Sequence, residues 1–135
     1  MGKARIFSFP GFDDYARKQR WSDDRLIKVV EDVERGLNDG VLGSNLFKRR
    51  VAREGAGSSG GFRVVLVFQL GERAFLIEAF AKNVKTSHTP QEVKALRELA
   101  NRLLLLSDTQ MALAIEAHQM REIKRTDENS ENEAT

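Results

Sequence analysis

The segment 62–70, FRVVLVFQL, constrains this chain more than any other. It is nearly all apolar and rich in β-branched side chains, the composition of a central strand in a sheet. Leu70-Gly71-Glu72-Arg73 supplies a tight turn, and 74–81, AFLIEAFA, reads as the hairpin partner of that strand. At 135 residues the chain fits one domain, because two separate cores would each be small. We therefore read residues 1–125 as a single domain and look for the elements that cover this hairpin.

Helix signals flank it on both sides. Residues 3–9, KARIFSF, predict a strand with Ala4, Ile6 and Ser8 on one face and Arg5, Phe7 and Phe9 on the other. Pro10-Gly11 breaks that strand, and a short helix runs from about Asp13, placed to cap it, to Gln19. Ser22 is a good N-cap for a second helix, with Asp23 and Asp24 in the dipole-favoured first turn. Leu26, Ile27, Val29, Val30, Val33 and Leu37 give it one apolar face, and Asn38-Asp39-Gly40 ends it. Segment 45–53, NLFKRRVAR, reads as a strand, and Gly55–Gly61 as a flexible glycine loop. Thr89-Pro90-Gln91-Glu92 combines a cap, a first-turn proline and a capping box. Ser107-Asp108 begins a last helix running to about Ile123. The leucine run 103–106 is wider than one face and marks a buried helix or a partner-docking surface. The order β-α-α-β-β-β-α-α predicts an α+β domain with helices on a mostly antiparallel sheet.

Composition narrows the function. There is no cysteine and only two histidines, His88 and His118, so a thiolate or imidazole-rich metal site is not expected, nor is a cofactor. No run of about 18 apolar residues marks a membrane span, and MGKARIFSFPGF carries neither an apolar signal core nor a myristoylation pattern, since Ile6 stands where Ser or Thr is wanted. The expected compartment is the cytoplasm. All 22 Lys and Arg precede Thr126, while Asp127, Glu128, Glu131 and Glu133 follow it, so residues 1–126 carry +6 against +2 for the whole chain. Residues 126–135 are expected to be a disordered acidic tail. The basic body suits a polyanion or an acidic protein.

The stretch from Lys48 to Arg63 holds five cations (Lys48, Arg49, Arg50, Arg53 and Arg63) against Glu54 alone. On a strand, Lys48 and Arg50 point together, while Arg49 points away with Phe47 and Val51. One reading is a concave patch that holds consecutive phosphates; the other is a solvated edge blunted by charge. Arg63 opens an apolar strand, so its guanidinium faces either a carboxylate or a ligand anion. Lys82 closes the next strand and comes near that end of the sheet. Gly55, Gly57, Gly60 and Gly61 lack the GK[ST] of a phosphate-binding P-loop, and Ser58 and Ser59 have no histidine nearby in sequence. Asp13-Asp14 and Asp23-Asp24 read as helix-start acids, His118 as a helix-surface residue, and Tyr15 and Trp21 as packing residues. His88, near Lys82 and Lys85, is a candidate for acid–base work.

WSDDRL, GVLGSNLFKRRVAR, SGGFR, FAKN and LRELANRLLLLSD, in this order over roughly residues 3–123, resemble the RelE/HigB toxins of bacterial toxin–antitoxin systems, in the subgroup with a longer C-terminal helical region. The resemblance implies a compact sheet with an N-terminal helical hairpin and C-terminal helices. It also implies a metal-independent mRNA endonuclease, often acting on the ribosome, in which the 2′-hydroxyl attacks the adjacent phosphate. Arg63 would stabilise that phosphate, with Lys48 and Arg50 as the paired cations of the preceding strand and Lys82 at the far edge of the site. Arg49, Arg53 and Lys85 would add RNA contacts. Ser58 stands where relatives often carry a lysine, and the general acid stays open among Lys82, Lys85 and His88. The implied partners are mRNA, the ribosome and a cognate antitoxin with a helix-turn-helix domain. The same fold also admits a ParE-like gyrase poison or an inactive binding member.

Overall fold

A computed structural model describes residues 3–53, 61–85 and 87–125. The glycine loop 54–60, with Ser58, and the acidic tail 126–135 lie outside the described residues. In chain order the elements are β1 (Arg5–Ser8), α1 (Pro10–Lys18), α2 (Asp23–Glu34), β2 (Gly40–Gly43), β3 (Leu46–Val51), β4 (Phe62–Gln69), β5 (Arg73–Ala81), α3 (Pro90–Leu105), α4 (Asp108–Glu116) and β6 (Arg121–Ile123). The strands form one six-stranded sheet in the order β2-β3-β4-β5-β1-β6. Among the described residues only the β1–β5 pair is parallel, so the α+β class and mostly antiparallel sheet are as expected.

The apolar β4 sits near the middle of this sheet and is buried on both faces. Val64, Leu66 and Phe68 join Leu26, Val30 and Val33 of α2 in one core. Val65 and Val67 join Ala100 and Leu103 of α3 and Met111 of α4 in another. A strand without a polar face needs such cover on both sides. In β1 the same alternation sends Ile6 to the first core and Phe7 to the second.

Four boundaries differ from the sequence reading. Pro10 does not merely end β1; it occupies the first turn of α1, which starts before Asp13, with Phe9 at the N-cap. The Asp13 carboxylate instead accepts the Ser8 hydroxyl at 2.8 Å and the Arg121 guanidinium. Helix α2 stops at Glu34 because Gly36 takes the left-handed conformation at φ +85°. Residues 40–43 are thereby freed to form β2, which the sequence reading missed. Ser44 and Asn45 have positive φ in the tight turn to β3, so Asn45 belongs to the turn rather than to the strand. Helix α4 also ends early, at Glu116, and His118 sits in the left-handed turn at φ +58° rather than on a helix surface. That reversal returns Arg121–Ile123 to pair with β1 as β6, a second missed strand. Three residues are too few to show a period of two.

Ion pairs fasten the ends. Arg121 donates to both Asp13 and Asp23, which holds its pKa above the usual guanidinium value and ties β6 to α1 and α2. Arg125, only 4% exposed, donates to the Ala4 carbonyl at 2.7 Å and pairs with Glu31 and Glu34. The Thr89–Glu92 capping box forms as expected, and Glu92 also accepts from Lys85. These bonds, the Lys85 one first, lower the Glu92 pKa to about 2.

Arg125→Ala strips one partner from a largely buried cluster, and we expect a loss of about 3 kcal/mol in urea unfolding; a change under about 0.5 kcal/mol, typical of an exposed site, would contradict the clamp. Glu92 has a folded pKa below its unfolded value, so its contribution is complete above pH 4.5 and is lost between there and pH 2. Glu92→Gln should therefore flatten the stability profile in that window, and an unchanged slope would refute the assignment.

Candidate active site

The cations predicted from sequence converge where β3 ends, β4 begins and β5 ends. Register sets Arg50 opposite Arg63 and Arg63 opposite Phe80. The next row along the strands is Lys48, Val65 and Glu78. Val65 and Phe80 pack in the core beneath α3 and α4, so by strand alternation Lys48, Arg50, Arg63 and Glu78 belong to that same face. Directly opposed Cα atoms in an antiparallel pair lie roughly 4.5–5.5 Å apart. Arg50 and Arg63 thus hold two guanidiniums on adjacent positions, an arrangement that costs stability unless an anion joins it.

No carboxylate bonds to the side chain of Arg50, Arg63 or Lys82 among the described residues. All three line a pocket of ≈ 290 Å³ together with Ala52, Gly61 and Phe62. Lys82 is drawn there by its own backbone, whose N–H donates to the Gly61 carbonyl at 2.9 Å. Asp39 also borders the pocket, but its carboxylate accepts the Arg50 backbone N–H at 2.7 Å and the Arg49 guanidinium at 3.3 Å. That oxygen ties down the end of β3, and no ion pair joins Asp39 to the side chain of Arg50, Arg63 or Lys82 among the described residues.

The remaining predicted residues are placed differently. Lys48 shares the face of Arg50 but lies against Gly40 of β2, where an added Cβ would come 3.3 Å from its Cε. Arg49 also borders the pocket, but its side chain starts from the opposite face of β3 and donates to Asp32 at 3.2 and 3.3 Å as well as to Asp39. That carboxylate pair holds it as a tie between β3 and α2, a use that competes with RNA binding. Arg53 lies beyond the ladder, its guanidinium 6.0 Å from the Phe62 ring centroid. Lys85 is engaged by Glu92, which raises its pKa, and sits 5.8 Å from the Phe80 ring. The His88 side chain is 1% exposed and packs edge-on against Phe80. Its Nε2 lies 2.6 Å from Glu78, and a carboxylate only accepts, so Nε2 carries a proton. Nδ1 is buried with no partner among the described residues.

Sequence reasoning did not single out Asp39, Phe62 or Glu78. Glu78 is the only acid in the apolar run of β5, a signal of the same kind that drew attention to Arg63. Asp39 was assigned to a helix end, where its role at β3 has no sequence signature. Among the described residues, no group of three or more His, Asp or Glu side chains is disposed to hold a metal ion, and no helix is long and apolar enough to cross a membrane.

No curated protein matches the chain. The family model described as the RelE toxin of the RelE/RelB toxin–antitoxin system matches residues 4–123, which takes in every described element from β1 to β6. The chain belongs to the RelE toxin family.

Proposed function

We propose that this toxin is an endoribonuclease that cuts mRNA, with the Arg50–Arg63–Lys82 pocket as its reaction centre. The observation that carries the reading is the direct opposition of Arg50 and Arg63 without a carboxylate for either among the described residues. In the reaction, the 2′-oxygen forms a bond to the adjacent phosphorus, its proton passes to solvent water, and the bond from phosphorus to the 5′-oxygen breaks. The phosphate gains charge in the transition state, and the two neighbouring guanidiniums stabilise that gain. Lys82 is the best placed proton donor to the leaving 5′-oxygen, because Lys85 is tied to Glu92 and His88 is closed off beneath Phe80. Lys48 supports the incoming strand from the same face.

Ribosome-bound mRNA is the substrate this reading favours, and inhibition of translation the outcome. The family implies a cognate antitoxin, and we infer one with a helix-turn-helix domain and an acidic or helical segment that covers the cationic pocket. Neutralising that pocket would remove phosphate binding and charge stabilisation together.

Arg63→Ala should lower cleavage of translated mRNA by about a hundredfold or more, with an unfolding midpoint close to that of the unaltered chain. Primer extension after induction reads the cuts, and full cleavage by the variant would remove Arg63 from the site. Intact transcripts with DNA-damage signalling on expression of the unaltered protein would replace this reading with gyrase inhibition.

A further inference from the structure

A second cavity, on the other edge of β5, has no part in the reaction so far. β1 ends at Ser8, opposite Leu76, and the chain turns away into α1. Residues 77–81 of β5 therefore continue with no strand beside them on that edge among the described residues. The notch is a cavity of ≈ 400 Å³ whose wall includes Phe9, Phe12, Tyr15, Ile77, Glu78 and Leu99. Its size falls within the range of roughly 300–1,000 Å³ seen for small-molecule sites. Its chemistry is three aromatic rings, aliphatic walls and one carboxylate.

That carboxylate is held in place. His88 donates from Nε2 to one oxygen of Glu78, and the His88 ring is itself immobilised by burial against Phe80. The Glu78 side chain remains 36% exposed, and its bond to His88 engages one of the two oxygens. One ring contact links the cavity to the cationic pocket. Tyr15 in its wall lies edge-on to Phe62, with centroids 6.3 Å apart and planes at 78°, and Phe62 lines the pocket of Arg50 and Arg63. Along β5, Glu78 is two residues from Phe80, the register partner of Arg63, a separation of about 6.6 Å. That is the scale of one nucleotide.

We propose that this cavity takes a nucleobase next to the scissile phosphate, and that Glu78 selects among bases. The proposal rests on the ribonuclease reading and names the specificity element of that same site. Single-stranded bases are bound by stacking on aromatic side chains and by hydrogen bonds to their Watson–Crick edges. An ionised carboxylate accepts and does not donate. It therefore favours guanine, adenine and cytosine, which present amino groups on that edge. Uracil is disfavoured, because two carbonyl oxygens flank its single N–H. His88 is a positioning residue here, acting through Glu78, and Tyr15 does more than pack.

Two variants test this without touching the cationic pocket. A Cβ built at Gly11, which borders the cavity, meets nothing within 4 Å, so Gly11→Leu adds bulk at the cavity without crowding the core. Glu78→Gln keeps the shape but adds a donor that accepts uracil. Cut sites are mapped for each protein in a cell-free translation reaction supplied with defined mRNAs. The unaltered chain should avoid uracil at one fixed position beside the cut, and Glu78→Gln should raise cutting at uracil there by about tenfold relative to the other bases. Gly11→Leu should lose the same discrimination while still cutting, with its fold checked by circular dichroism; if it fails to fold, Glu78→Gln decides alone. Cutting by the unaltered chain and by Glu78→Gln with identical base preferences would overturn the base site and leave the nuclease standing. No cutting by the unaltered chain would overturn the nuclease reading, and the base site with it.

Discussion

Burial of β4 and β5 on both faces is the constraint on which the rest of the structure depends. A strand such as VVLVF offers no polar face, so water must be excluded on two sides at once. Helices α1 and α2 cover one side and α3 and α4 the other, leaving two cores divided by the sheet. A rigid hairpin of this kind then presents whatever follows its ends at fixed positions. The candidate site occupies one such end, where β4 begins with Phe62-Arg63 and β5 runs out into Lys82.

Strand alternation divides the cations by role at that end. Arg49 and Arg50 are adjacent in sequence, yet one is caged by Asp32 and Asp39 while the other faces Arg63. Two like charges held opposite each other on a scaffold this well packed store unfavourable electrostatic energy. Under the proposed function a phosphate would relieve it, and a phosphate gaining charge in a transition state would relieve it further. Asp39 borders the same pocket, where one oxygen of its carboxylate accepts the Arg50 backbone N–H and the Arg49 guanidinium.

Much of this was legible in the residues themselves. The apolar run 62–70, the Ser22 cap and the Thr89–Glu92 capping box each carry a local signature, and each forms where its signature stands. β2 and β6 were not legible, because four residues and three residues hold no usable period and both depend on left-handed turns at Gly36 and His118. Within the site, the shared face of Lys48 and Arg50 followed from alternation, and the nearness of Lys82 followed from the hairpin. The pairing of Arg50 with Arg63 did not, because it requires the register of β3 on β4 across the residues 54–60. His88 looked available for proton transfer from its composition and place in the chain; only the packing of Phe80 and the bond to Glu78 reveal how it is held.

The central claim is that cationic side chains, acting on a 2′-hydroxyl attack, break the RNA strand. The chemistry of the product ends tests it most directly. Purified toxin should cut translated mRNA to leave 5′-hydroxyl ends and 2′,3′-cyclic or 3′-phosphate ends, and brief EDTA treatment of the toxin before assay should leave this unchanged. Products bearing 5′-phosphates, or cleavage lost with chelation and restored by a divalent ion, would contradict the account.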